Sequence, residues 1–240
     1  MRKTLLSLAV ITALLAANGI AAAQTVDEVV AKAVAAKGGD KWKTVKSTRM
    51  TARISLQGME LPMVILSARP NLMRQDITVQ GMTIVQAFDG EKAWAINPME
   101  SPNATEMPAA ATESMKDQAD FDGPLVDYKA KGNTVELVGT EDVGGVKAHH
   151  LKITKKNKQV QHLYIEAARG VELKSVSEVD MGAGMTKVET ELADYRTVDG
   201  ILVPFTMRVT GGPTGAVSMT VDKVEFNVAI DDKTFKIPGK

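Results

Sequence analysis

Thr48-Arg49-Met50-Thr51-Ala52-Arg53-Ile54-Ser55-Leu56 is the stretch that decides the fold class. Its even positions are Thr48, Met50, Ala52, Ile54 and Leu56, and its odd ones Arg49, Thr51, Arg53 and Ser55. A period of two sends successive side chains to opposite faces of an extended chain, so this is a strand with one dry and one wet face. The alternation returns in Met73, Ile77 and Val79, in Leu151 and Ile153, in Leu163 and Ile165, and in Val203, Phe205, Met207 and Val209. Asp89-Gly90, Gly144-Gly145, Asn157 and Asp199-Gly200 mark turns between these runs. The spacing predicts about eleven or twelve strands joined mostly by short hairpins, in one long curled antiparallel sheet.

Two segments break this period. Val26, Val29, Val30, Ala33 and Val34 recur at helical spacing ahead of Gly38-Gly39, which predicts one amphipathic helix and its stop. Between Asn97 and Asp127, Pro98, Pro102 and Pro108 interrupt a stretch rich in Ala, Met and acids, with a short helix predicted from Thr112 to Ala119 and Thr112 as its N-cap. Such a long loop in a meander either covers an open end of the sheet or acts as a mobile lid. Neither a repeat nor a dividing linker is evident, so residues 24–240 are expected to form one domain.

The first 23 residues read as a leader. Arg2 and Lys3 precede an apolar run from Leu5 to Ala17, and Ala21-Ala22-Ala23 offers small residues for cleavage before Gln24. The run is too short to stay as a membrane span. No cysteine follows it, so a soluble, unacylated periplasmic protein, cleaved after Ala23, is expected. Lys plus Arg and Asp plus Glu each number 29, and losing Arg2 and Lys3 leaves a slight acidic excess, which argues against nucleic acid as a partner. The absence of cysteine excludes thiol catalysis, iron–sulfur clusters and cysteine-bound zinc.

Catalytic candidates are weak. His149 and His150 are adjacent on an alternating run and should face opposite ways, so they cannot readily chelate one metal, and His162 on a neighbouring strand leaves the ligand set short. Nucleophile-elbow, P-loop, zincin and dinucleotide motifs are missing from the sequence. Accordingly no enzyme activity, metal or cofactor is expected. What does stand out is 13 methionines beside two Trp, three Tyr and five Phe, although sheets favour aromatic and β-branched residues. Methionine adapts its shape, which suits a cavity for flexible hydrocarbon and also an irregular core. Ile54, Met63, Met73, Ile77, Met82 and Trp94, covered by a lid at Met107–Phe121 that contributes Met107 and Met115, are the candidate lining of an acyl cavity.

The order Arg69-Pro70, Arg74, Asp89-Gly90, Trp94 and Pro98, then Asp194-Tyr195-Arg196, Val198-Asp199-Gly200, Pro204-Phe205, Asn227, Phe235 and Pro238 resembles the outer-membrane lipoprotein-sorting proteins of the LolA/LolB superfamily. The resemblance covers nearly the whole chain after the leader. It implies an unclosed half β-barrel of one antiparallel sheet, helices on its concave side, and acyl chains held between them. It also implies an arginine that latches the lid, for which Arg49, Arg53, Arg69 and Arg74 are candidates. The expected function is a periplasmic carrier that shelters acyl chains of a lipid or lipoprotein in transit from an inner-membrane donor complex to an outer-membrane acceptor. The alternative is a lipid-sensing regulatory or protein-interaction domain of the same fold.

Overall fold

The computed structural model describes residues 24–180, 184–212 and 215–239. The leader read at residues 1–23, and with it the cleavage after Ala23, lies outside them. Thirteen strands form one antiparallel sheet: β1 Ser47–Leu56, β2 Met59–Ala68, β3 Leu72–Val79, β4 Met82–Phe88, β5 Ala93–Asn97, β6 Ser101–Glu106, β7 Thr134–Val143, β8 Val146–Thr154, β9 Val160–Glu166, β10 Glu172–Asp180, β11 Met185–Val198, β12 Ile201–Thr210 and β13 Val217–Phe226. Their order is β6-β5-β4-β3-β2-β1-β13-β12-β11-β10-β9-β8-β7, two meanders joined where β1 pairs with β13. The sheet curves without closing, which is the half-barrel expected. Tight hairpins set the register. Asp199-Gly200, with φ of 47° and 75°, connects Val198 to its partner Ile201, the two positive dihedrals that a right-twisted two-residue turn requires.

Consecutive strands β6 and β7 occupy opposite edges of the sheet, so the chain between them must cross a whole face. That face is the concave one, called inner here. It also receives α1 (Val26–Ala36), whose Val29, Val30 and Ala33 pack on Leu151, Ile153, Leu163 and Ile165. Thr25 caps α1, exchanging hydrogen bonds with Glu28 in a capping box. A further short helix, α2 (Gly39–Thr44), follows immediately.

Two expectations are corrected. The segment 97–127 contains an extra strand: β6 includes Pro102, which an edge strand tolerates because one side of its backbone needs no ladder donor. The helix there, α3 (Ala109–Gln118), begins earlier than predicted, with Pro108 rather than Thr112 at its N-cap; Thr112 lies inside it and its hydroxyl donates to Met107 O. Among the described residues no helix is long and apolar enough to cross a membrane.

Candidate functional site

In the regular stretches of the sheet, register assigns strand residues to faces, because directly paired residues share one. The pairs Leu61↔Ile54, Ile54↔Met219, Met219↔Met207 and Met207↔Leu192 trace an unbroken apolar row across β2, β1, β13, β12 and β11. All five side chains are half-buried, and the neighbouring Leu56, Val217 and Val209, also on this face, are too. The crossover lies toward the other end of the strands. Its α3 packs Met115 and Ala119, with Met107 just ahead of them, on Met73, Phe88 and Ala93. Phe121 then sits over Ala52, Phe205 and Val221, and Leu125 and Tyr128 reach the cluster under α1.

The predicted lining residues therefore separate into three groups. Ile54, Ile77 and Met82 are half-buried on the inner face toward its open end, and Met63 lies on the same face but is buried, 7% exposed. Met73 and Met115, 4% and 3% exposed, are packed together with Met107 in a filled core beneath α3, so that segment covers Met73 and leaves Met82 uncovered. Trp94 belongs to the outer face. It pairs with Ala87, clusters with Val85, Ile96, Ala104 and Ile237, and its indole donates to Phe235 O at 2.7 Å, forming the seat of the C-terminal segment.

Sequence reasoning missed the cavity itself. About 250 Å³ lies beneath the C-terminal half of α1, lined by Ala33, Val34 and Ala36 of the helix, Leu163 and Ile165 of β9, Leu125 and Val126 of the crossover, and Leu192 of β11. Leu192 is also the last member of the apolar row, so cavity and row are continuous. Gly170 brings the β9–β10 turn under the helix: a Cβ there would stand 2.9 Å from the carbonyl oxygen of Lys32. Four polar side chains line the cavity as well, Lys37, Asp122, Glu172 and Tyr195. Burial lowers the Lys37 ammonium to about 8, against the opposing charges of Asp122, Asp120 and Glu172. Burial likewise raises the Glu172 carboxyl to about 7, against a hydrogen bond with Ser175 and the charge of Lys37. Burial, then the Glu172 charge, pushes the Tyr195 hydroxyl up. An acid between Val171 and Leu173 was the available signal for Glu172.

One arginine ties the crossover down. Arg69 donates twice to the Asp122 carboxylate, at 2.6 and 2.7 Å, and also to Val45 O and Trp42 O. Trp42 Nε1 donates to the same carboxylate at 2.9 Å, and its ring stacks on Phe121. Burial raises the Asp122 carboxyl, but the bonds and charge of Arg69 outweigh it and hold the group below its ordinary value. The other three candidate arginines lie elsewhere. Arg53 pairs with Asp222, Arg74 with Asp76, and Arg49 is exposed on the outer face.

Two of the three histidines form a chain of their own: His150 contacts Glu141 at 2.6 Å through Nδ1 and His162 at 2.7 Å through Nε2, and stacks on Tyr164. Among the described residues no group of three His, Cys, Asp or Glu is placed to hold a metal.

These features define a LolA-like fold, and solved structures share it. A DUF1329 family protein from Desulfovibrio piger matches with a TM-score of 0.61 at 16% identity, over 88% of this chain and 97% of that one. A LolA superfamily protein from Nitrosomonas europaea gives 0.61 at 12% identity, over 89% and 98%. An outer-membrane lipoprotein-sorting protein domain from Vibrio parahaemolyticus gives 0.59 at 13% identity, over 87% and 94%. No family model and no curated protein matches the sequence.

Proposed function

We propose that this chain is a periplasmic carrier that shelters acyl chains of a lipid or lipoprotein on the way to the outer membrane, with no chemistry of its own. The observation that carries the reading is the half-buried row Leu61–Ile54–Met219–Met207–Leu192, continuous with the cavity under α1. Soluble proteins seldom leave a wide apolar surface uncovered unless something binds there. An acyl chain gains about 0.8 kcal/mol for each CH₂ removed from water, so a curved apolar face makes it portable through an aqueous compartment. The contacts are non-directional, which favours release to an acceptor. The shared fold of a LolA superfamily protein and of a lipoprotein-sorting domain supports the same reading. An inner-membrane donor complex and an outer-membrane acceptor are its natural partners.

The test is competition. Protein stripped of lipid is loaded with a fluorescent fatty-acyl probe, then challenged with a lipidated peptide and its unlipidated twin. Displacement by the lipidated form alone is expected. Absence of saturable probe binding across several chain lengths, in folded protein, would overturn the reading.

A further inference from the structure

A cavity of about 250 Å³ is smaller than the roughly 300–1,000 Å³ of pockets that enclose a drug-sized molecule. It therefore accepts one end of a ligand, and Leu192 shows where the rest goes, because it lines the cavity and terminates the apolar row. The cavity end also carries polar groups. Tyr195 Oη donates to the backbone carbonyl of Glu172 at 2.6 Å, which leaves its oxygen as an acceptor. Lys37 Nζ donates to the carbonyl oxygens of Asp122 at 2.7 Å and Phe121 at 3.5 Å and stands 4.5 Å from the centre of the Trp42 ring, so the protein fixes this ammonium at the cavity wall. The Glu172 carboxyl completes the set.

We propose that the cavity beneath α1 binds the uncharged, hydroxyl- or ester-bearing head of an acyl amphiphile, whose chain runs out past Leu192 along the row toward Leu61. This rests on the acyl-binding reading and adds the direction of the ligand and the chemistry of its head. Lys37, Glu172 and Tyr195 each have a protein hydrogen-bond partner, but a hydrocarbon end in the cavity would strip water from their remaining donor and acceptor capacity, which a hydroxyl or ester satisfies instead. The charges around the cavity balance: Lys37 and Glu172 line it with opposite charges, while Asp122 is engaged by both arms of Arg69. An anionic head would meet Glu172 and Asp122, and a cationic head Lys37. Burial moves Glu172 and Lys37 each toward its neutral form, in keeping with an uncharged occupant.

The experiment compares three probes of equal chain length, each below its micellar concentration: monopalmitoylglycerol, palmitate and hexadecyltrimethylammonium. Each displaces a fluorescent acyl probe from lipid-stripped protein. The expected ranking puts monopalmitoylglycerol at least about tenfold ahead of both charged probes. Glu172→Leu should lose that preference while still binding the acyl probe, and Glu172→Gln should keep it. Equal displacement by all three, or an unchanged preference in Glu172→Leu, would overturn the proposal while leaving acyl binding intact. If Glu172→Leu does not fold, the ranking on the unsubstituted protein and on Glu172→Gln decides. Failure of the unsubstituted protein to bind the acyl probe at all would reject the carrier reading itself.

Discussion

α3 and α1 lie on the same inner face, yet Met115 of α3 is 3% exposed and packed on Met73 and Phe88, whereas Ala33, Val34 and Ala36 of α1 overhang a cavity. The difference lies in side-chain reach. A flexible thioether fills irregular space between helix and sheet, so methionine at α3 makes a tight cover. Alanine and valine at the end of α1 do not span the same gap, and a void remains above Leu163 and Ile165. Methionine density thus marks two things in this molecule: a filled core at one end, and at Met207 and Met219 a half-buried surface.

The strongest way to break the comparison is to place a carboxylate in each region. Met115→Asp should cost about 3–5 kcal/mol in denaturant unfolding, because the charge is buried without a partner. Ile54→Asp, at a half-buried site, should cost about 1 kcal/mol or less and yet weaken acyl-probe binding. Equal stability losses would mean that the open face is in fact core.

Next in size is Arg69→Ala, expected to destabilise by about 2–3 kcal/mol, since Asp122 keeps its charge in a half-buried place without its bidentate partner. Probe release should also quicken as the crossover loosens, which stopped-flow fluorescence would resolve. An unchanged unfolding midpoint would show that the crossover is held by Phe121 packing alone.

Glu172→Gln sharpens the contrast through pH. The folded-state value of Glu172 is raised from 4.5 to about 7, so between those limits the native protein holds a proton that the unfolded chain releases. Stability from this group is therefore lost as pH rises from about 4.5 to 7 and stays lost above it. Relative to the unsubstituted protein, Glu172→Gln should gain about 1–2 kcal/mol across that window, a value reduced from the full shift because the cavity admits solvent. Lys37, Tyr195 and Asp122 line the same cavity and are unchanged in the variant. Thermal unfolding at several pH values checks this, and a difference that does not vary with pH would contradict it.

How much of this was legible in the sequence depends on whether a strand has one wet face. β1 declared itself because Arg49, Thr51, Arg53 and Ser55 stay toward solvent while Met50, Ala52 and Ile54 turn inward. β5 did not. Ala93, Trp94, Ala95 and Ile96 are apolar throughout because α3 covers one side and Phe235 and Ile237 the other, so no alternation revealed which way Trp94 points. The half-barrel could be read from hairpin spacing, since local turns carry it. The cavity could not, because residues of α1, β9, β11 and the crossover meet there only through long-range packing, and Ala33 and Ala36 look like ordinary helix formers.

The smallest stability effect belongs to Ala36→Leu, which fills the cavity from the helix side. It should change stability by less than about 1 kcal/mol, since it occupies existing space, while lowering acyl affinity. Unaltered affinity would detach the cavity from the apolar row.

The account stands most directly on where an acyl chain lies, and methyl-labelled methionine observed by NMR during titration with monopalmitoylglycerol reports it. The methyl signals of Met207 and Met219 should shift with saturation, while those of Met73 and Met115, packed beneath α3, stay in place. Shifts at Met73 and Met115 with Met207 and Met219 unmoved would put the ligand under α3 and contradict the account.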